Sequence, residues 1–289
     1  MVNFSRLKEK VKLNLKYIAT FYYEETTKII AWWLWNIPFQ FFQILFSLLL
    51  FKYYALALKG SSFLFEGDYM AYIISGLMLN TYMDASMDVY YSSMVALYHG
   101  RIIGFGGISL SRKDYLQMAG ISPYIFIFAR ASWRYLMETI MFILYFIIGA
   151  YCFGIKALIN FNLNIVIIIL LSILACSGIG LISASMYWLA GAYRGVEPIV
   201  WFIRILVPLA CGVYVPREIL PRELKLIGDI LPQTYAVNAM RKILLKQSSL
   251  NEILDHLMAL ILQIIMLIPV GILLLKYSLA LERKRATAY

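Results

Sequence analysis

Three prolines punctuate the stretch from Tyr214 to Leu245, YVPREILPRELKLIGDILPQTYAVNAMRKILL, which lies between two apolar runs. Pro216, Pro221 and Pro232 each remove a backbone donor and fix φ, so one helix through the whole stretch is disfavoured. Proline is tolerated in the first turn of a helix, so Pro221 and Pro232 can each open a short one. In the first, Leu224, Ile227 and Leu231 share a face; in the second, Ala236, Met240, Ile243 and Leu244 do. Arg222, Glu223, Lys225, Asp229, Arg241 and Lys242 take the opposite faces. The pattern predicts two short amphipathic helices dipping into a membrane surface.

A membrane is the solvent that the rest of the chain demands. Of 289 residues, 62% are hydrophobic and 15% charged, the balance of a polytopic membrane protein. A span takes about 20 mostly apolar residues, so there is room for about five to seven. No stretch is left over for a soluble domain, and residues 1–289 read as one membrane domain. The net charge of +10 reads as a device for orienting the chain in a bilayer, not for binding nucleic acid. Cys152, Cys176 and Cys211 lie in apolar segments without metal-ligand spacing, and His99 and His256 are far apart, so no metal site and no catalytic pair is encoded. No GxxxxGK[ST] phosphate cradle occurs, so no nucleotide and no other cofactor is expected on this chain.

Residues 1–28 carry Arg6, Lys8, Lys10, Lys12, Lys16 and Lys28 with no cleavable apolar leader. Phe4, Leu7, Val11, Leu15, Ile18 and Tyr22 fall on one side of a helix. That suits a helix lying in the membrane interface with its lysines toward anionic lipid, or one packed on a soluble partner. Spans are expected near 29–54, 69–98, 124–154, 160–190, 199–214 and 253–277. The first opens on Trp32, Trp33 and Trp35, an interfacial belt, and then carries Pro38, Gln40 and Gln43. The fourth carries Gly178 and Gly180 for close helix packing.

The second span places Asn80, Asp84 and Asp88 at i, i+4 and i+8, on one helix face. A carboxylate at mid-span costs about 2.5–3.5 kcal/mol on insertion scales, so Asp84 needs a partner or water. Arg204, alone in the fifth span, is the candidate partner. The face is either a structural ion pair or the polar lining of a transport path, and the two are compatible. In the third span Arg134 and Glu138 can pair within the helix, beside Arg130.

Six spans put both termini on one side. With the N-terminus inside, 16 of the 26 basic residues lie inside: six by Lys28, five in 101–134, Arg194, and four from Lys276 on. Nine lie outside, six of them in the proline-rich stretch, and Arg204 is within the membrane. The inward bias makes both termini cytoplasmic and 216–246 extracytoplasmic.

The spacing Pro–x4–Pro–x10–Pro–x–Thr–Tyr–x5–Arg, carried by Pro216, Pro221, Pro232, Thr234, Tyr235 and Arg241, resembles the signature before the last span of type-2 ATP-binding-cassette (ABC) permeases. Leu231 stands where that family usually has Asn. Residues 99–123, HGRIIGFGGISLSRKDYLQMAGISP, resemble the family's cytoplasmic coupling helix, with Asp114, Leu116, Ile121 and Ser122 matching. Ser111 and Gly120 depart from its usual Gly and Pro. Ser109 or Ser111 can cap a short helix ending at Gly120.

The resemblance implies an all-α integral membrane fold: interface helix 1–28, spans one to five within 29–215, external re-entrant helices 216–246, span six at 253–277 and a cytoplasmic tail at 278–289. It implies the transmembrane subunit of an exporter, paired with a second copy or a related permease and with two cytoplasmic ATPase subunits that bind ATP and Mg. Ser111, Arg112, Lys113, Asp114, Leu116 and Ile121 would couple to the ATPase. Substrates across the family include drugs, lipids, polysaccharides and hydrophobic metabolites, and the third-proline region looks most like the drug- and antibiotic-efflux group. An ion-coupled carrier using Asp84 and Asp88 is a second reading, disfavoured because no inverted repeat is evident. A membrane-embedded lipid-modifying enzyme is a third, and it would need clustered acid–base or metal-ligand residues that are not there.

Overall fold

Residues 4–57, 69–99, 101–103, 109–155, 162–190 and 197–286 are described by the computed structural model. Among the described residues, the regular structure is helical apart from one pair of short strands. Helix α1 runs Phe4–Ala57, α2 Tyr69–Tyr98, α3 Arg112–Met118 and α4 Pro123–Ile147, which a π-helical turn extends over Ile148–Cys152. Then come α5 Asn164–Leu189, α6 Pro198–Ala210, α7 Arg222–Ile230, α8 Pro232–Lys246 and α9 Leu254–Ala286. Among the described residues, four helical stretches are long and apolar enough to cross a membrane: Ile37–Tyr54, Pro123–Cys152, Asn164–Leu189 and Leu250–Glu282.

Helix α2, 30 residues and about 45 Å long, is long enough to span but not among these four, because Asn80, Asp84 and Asp88 dilute its apolar content. It is nonetheless largely enclosed by others, packing on α4, α5 and α8. Helix α6 is apolar but only 13 residues long, about 20 Å. Helices α5 and α9 approach most closely. A Cβ at Gly178 would sit 2.5 Å from the Leu267 Cβ, and one at Gly271 2.7 Å from the Leu181 Cβ. Lipid supplies no hydrophobic force between spans, so this backbone proximity is what van der Waals packing in a bilayer requires. A Cβ on Gly180 would meet Ser86 O at 2.5 Å, so the same helix also presses on α2.

Three expectations change. Residues 1–28 and 29–54 are not separate helices, since α1 continues unbroken with Pro38 inside it. No strong breaker other than that proline lies between Phe4 and Ala57, and a helix propagates cheaply once nucleated. Residues 278–286, expected as a tail after the last span, are helical and form the last turns of α9. Before α3, β1 Arg101–Ile103 pairs with β2 Ser109–Ser111 in antiparallel register, Arg101↔Ser111, Ile102↔Leu110 and Ile103↔Ser109. The side chains of Trp32, Trp33 and Trp35, and the turns holding Lys59, Lys156 and Arg194, lie outside the described residues.

Candidate functional site

The charges expected at mid-span do meet. Glu197 accepts hydrogen bonds from the backbone N–H groups of Ile199, Val200 and Trp201, capping α6, whose first residue is Pro198. That fixes the start of the helix and so the height of Arg204, halfway along it. The Arg204 Nε donates to Asp84 Oδ1 at 2.6 Å, and Nη2 lies 3.3 Å from Asp88 Oδ1. One guanidinium therefore bridges two carboxylates a turn apart on α2, the match of planar fork to paired acids that lysine cannot offer. Asn80, half-buried one turn away, stands outside this cluster among the described residues. The side chains remain 36% exposed at Asp84, 38% at Asp88 and 43% at Arg204. The cluster is a polar patch on the outside of a single chain.

Beyond the C-terminal end of α2, the segment expected to couple to an ATPase is tied into the chain on most of its sides. Ser111 caps α3, accepting from Asp114 N at 3.2 Å. Gly120, at φ +72, closes the helix, and Ile121 N bonds back to Leu116 O at 2.8 Å. The departure at position 120 thus has a physical role. Leu116 and Ile121 point inward, buried with Phe21, Leu97, Phe126 and Ala129. Arg112 lies over the Phe126 ring, 5.2 Å from its centroid. Lys113 pairs with Glu282 of α9, whose other oxygen accepts from Tyr98 OH at 2.7 Å. Leu116 and Ile121 thus seat α3 on the rest of the chain. The face left exposed carries Asp114, Tyr115, Gln117 and Met118. Sequence reasoning passed over Tyr115 and Met118, although their i, i+3 spacing is the signal of an apolar helix face. Glu282 was passed over too, as one acid in a basic run.

The proline-rich stretch is the third region. Pro221 caps α7 and Pro232 is the first residue of α8, as expected. The end of α7 leaves carbonyls without helical partners. Thr234 Oγ1 donates to Gly228 O at 2.5 Å, Tyr235 OH to Asp229 O at 2.9 Å, and Gln263 Nε2 of α9 to Ile230 O at 3.1 Å. The Thr-Tyr pair is thus a C-terminal cap for the preceding helix. Ala236, Met240, Ile243 and Leu244 are buried as expected, but among α2, α5 and α9 of the chain itself.

Arg241 is the correction. It was expected on the polar face of α8, yet it is 3% exposed. Its Nη1 donates to Gly212 O at 2.6 Å, Nη2 to Val213 O at 2.9 Å and Tyr72 O at 3.2 Å, and Nε to Tyr72 O at 3.3 Å. The guanidinium also lies 3.4 Å from the centroid of the Tyr72 ring. Gly76 leaves room for it, since a Cβ there would sit 2.8 Å from Nη2. Gly212, at φ +78, turns the chain so that successive carbonyls reach the fork. Arg241 pins α8 to α2 and to the end of α6.

Residues 110–273 match the family described as ABC-2 family transporter protein, more than half of the chain. No curated protein matches the chain.

Proposed function

The chain belongs to the ABC-2 family of transporter proteins, membrane components that generally work with a cytoplasmic ATPase subunit, and on that premise we propose that it is the permease of an ATP-driven exporter. Two permease chains, identical or related, pair with two ATPase subunits, which bind the ATP and Mg; this chain binds no cofactor. The later part of α1 and helices α2, α4, α5, α6 and α9 form six spans with both termini cytoplasmic. Helices α7 and α8 are extracytoplasmic and re-entrant. The substrate is hydrophobic or amphipathic, a drug, antibiotic or lipid-like molecule; a lipid-linked glycan is the alternative within the class.

The observation that carries this reading is the outward patch of Asp84, Asp88 and Arg204. Charged groups at hydrocarbon depth cost about 2.5–3.5 kcal/mol each on insertion scales. Three of them facing acyl chains is untenable, so a second permease chain surrounding an aqueous path supplies the missing polar environment. Coupling enters through the exposed face of α3.

Two measurements test the reading. Purified alone, the chain is expected to hydrolyse no ATP; co-expressed with its ATPase, Tyr115→Ala with Met118→Ala is expected to leave membrane insertion intact and abolish transport-linked hydrolysis. Hydrolysis by this polypeptide by itself overturns the assignment. For topology, single cysteines at Lys8, Ser111 and Thr287, in a background lacking Cys152, Cys176 and Cys211, are expected to be shielded from an impermeant external thiol reagent, and one at Arg222 to be labelled. External labelling at Ser111 would defeat the six-span arrangement.

A further inference from the structure

Two cavities open one above the other along the face formed by α1, α2 and α4. The one nearer α3, about 240 Å³, is lined by Phe21, Glu25, Asp88, Arg130, Trp133 and Arg134. The other, about 610 Å³, shares Arg134 and Met137 in its wall and continues past Glu138, Gln40, Gln43 and Thr81. Arg130 lies seven residues into α4, about 10 Å from its start, and Glu138 lies fifteen, about 22 Å. The smaller cavity thus lies nearer the Pro123 end of α4, and the larger about 12 Å further along the helix.

The charges of the smaller cavity are of both signs. Glu25 is 3.1 Å from Lys28, which Glu24 also holds, and Asp88 shares Arg204 with Asp84. Each carboxylate is thus half-served by a divided cation. Arg134 spends its Nε on Glu138 at 2.9 Å. Arg130 has no carboxylate within 4 Å among the described residues, though it lies in the field of Glu25 and Asp88. A lone anion entering here is repelled by two carboxylates, and a lone cation by two guanidiniums. A zwitterion whose charges sit a few ångströms apart answers both. Above it, apolar walls at Ile44, Phe51, Leu77 and Met141 are interrupted by amides at Gln40 and Gln43, the surround of an acyl chain with ester oxygens near its root.

We propose that this cleft holds one phospholipid with a zwitterionic, primary-ammonium headgroup. Its phosphate accepts from Arg130, its ammonium donates between Glu25 and Asp88, and its glycerol esters and one chain rise into the larger cavity. The carboxylates select a headgroup with N–H donors over a quaternary one. The site depends on α1, α2 and α4 lying in a bilayer, and not on what is exported or on the ATPase.

The test is native mass spectrometry of the full-length chain in detergent, equilibrated with phosphatidylethanolamine, phosphatidylcholine or phosphatidylglycerol. One phosphatidylethanolamine per chain is expected to be retained in preference to the other two. Loss of a charge-assisted hydrogen bond is worth about 1.5–3 kcal/mol, so Arg130→Gln is expected to lower that retention about tenfold or more. Glu25→Gln is expected to raise retention of phosphatidylglycerol, a gain that a misfolded chain would not show. Soluble glycerophosphoethanolamine is expected to displace the lipid only in large excess. Equal retention of all three lipids, or undiminished retention in a monodisperse Arg130→Gln protein, overturns the proposal. So does displacement by the soluble headgroup at parity, which would make this a site for a free phosphoester instead of a lipid.

Discussion

Arg241→Met is expected to remove most of the folded protein. The guanidinium serves three backbone carbonyls, those of Tyr72, Gly212 and Val213, and is 3% exposed. An acceptor left buried without a donor costs about 1–3 kcal/mol. Gly212 O keeps the Tyr72 hydroxyl at 2.8 Å and Tyr72 O keeps the Ser75 hydroxyl at 3.0 Å, so the loss falls mainly on Val213 O and on the cation stacked over the Tyr72 ring. Against a total stability of about 5–15 kcal/mol, the sum is decisive. Arg241→Lys is expected to rescue little, because an ammonium cannot reach three carbonyls in one plane. The control is Lys242→Met, one residue on, where the ammonium makes a single exposed bond to Glu252 O at 3.3 Å. Monodisperse yield and thermal midpoint in detergent read the outcome. Wild-type values for Arg241→Met would mean that α8 is held by its apolar face alone.

Arg241 also shows where sequence reasoning fails. On a helical wheel its charge sorts it with Lys242, because periodicity registers polarity and not the partner. Nothing local announces three carbonyls delivered by a glycine turn 29 residues earlier and a helix 169 residues earlier. At Leu116 the position in the motif was visible, but the side of α3 facing the chain was not. The two helices of the proline-rich stretch were legible because proline acts locally, through its own φ and missing donor. The strand pairing of 101–103 with 109–111 was not, since three-residue strands carry no alternation to detect.

The Asp84–Arg204 contact was legible for a different reason. Opposite charges inside apolar helices have few places to go, so isolation itself predicts the partner. Observed together at 2.6 Å, they still leave two roles open to measurement. Where the pair faces a dry protein surface, Asp84→Asn strands Arg204, and breaking a buried pair costs about 3–5 kcal/mol. Where it faces water, the exposure of 36% and 43% seen in the single chain persists, and the pair contributes about 0–1 kcal/mol. Asp88, 3.3 Å from the same guanidinium, softens either loss by keeping one carboxylate in place. The aqueous case is the one the exporter reading requires. Asp84→Asn is then expected to leave folded yield unchanged and to lower transport severalfold, most for cationic compounds. Arg204→Leu added to it is not expected to restore transport. In the dry case the order reverses: Asp84→Asn lowers yield and the added Arg204→Leu recovers it. A double-mutant cycle scored on yield and on transport separates the two, and Asp84→Leu changing neither would remove the cluster from any account of this protein.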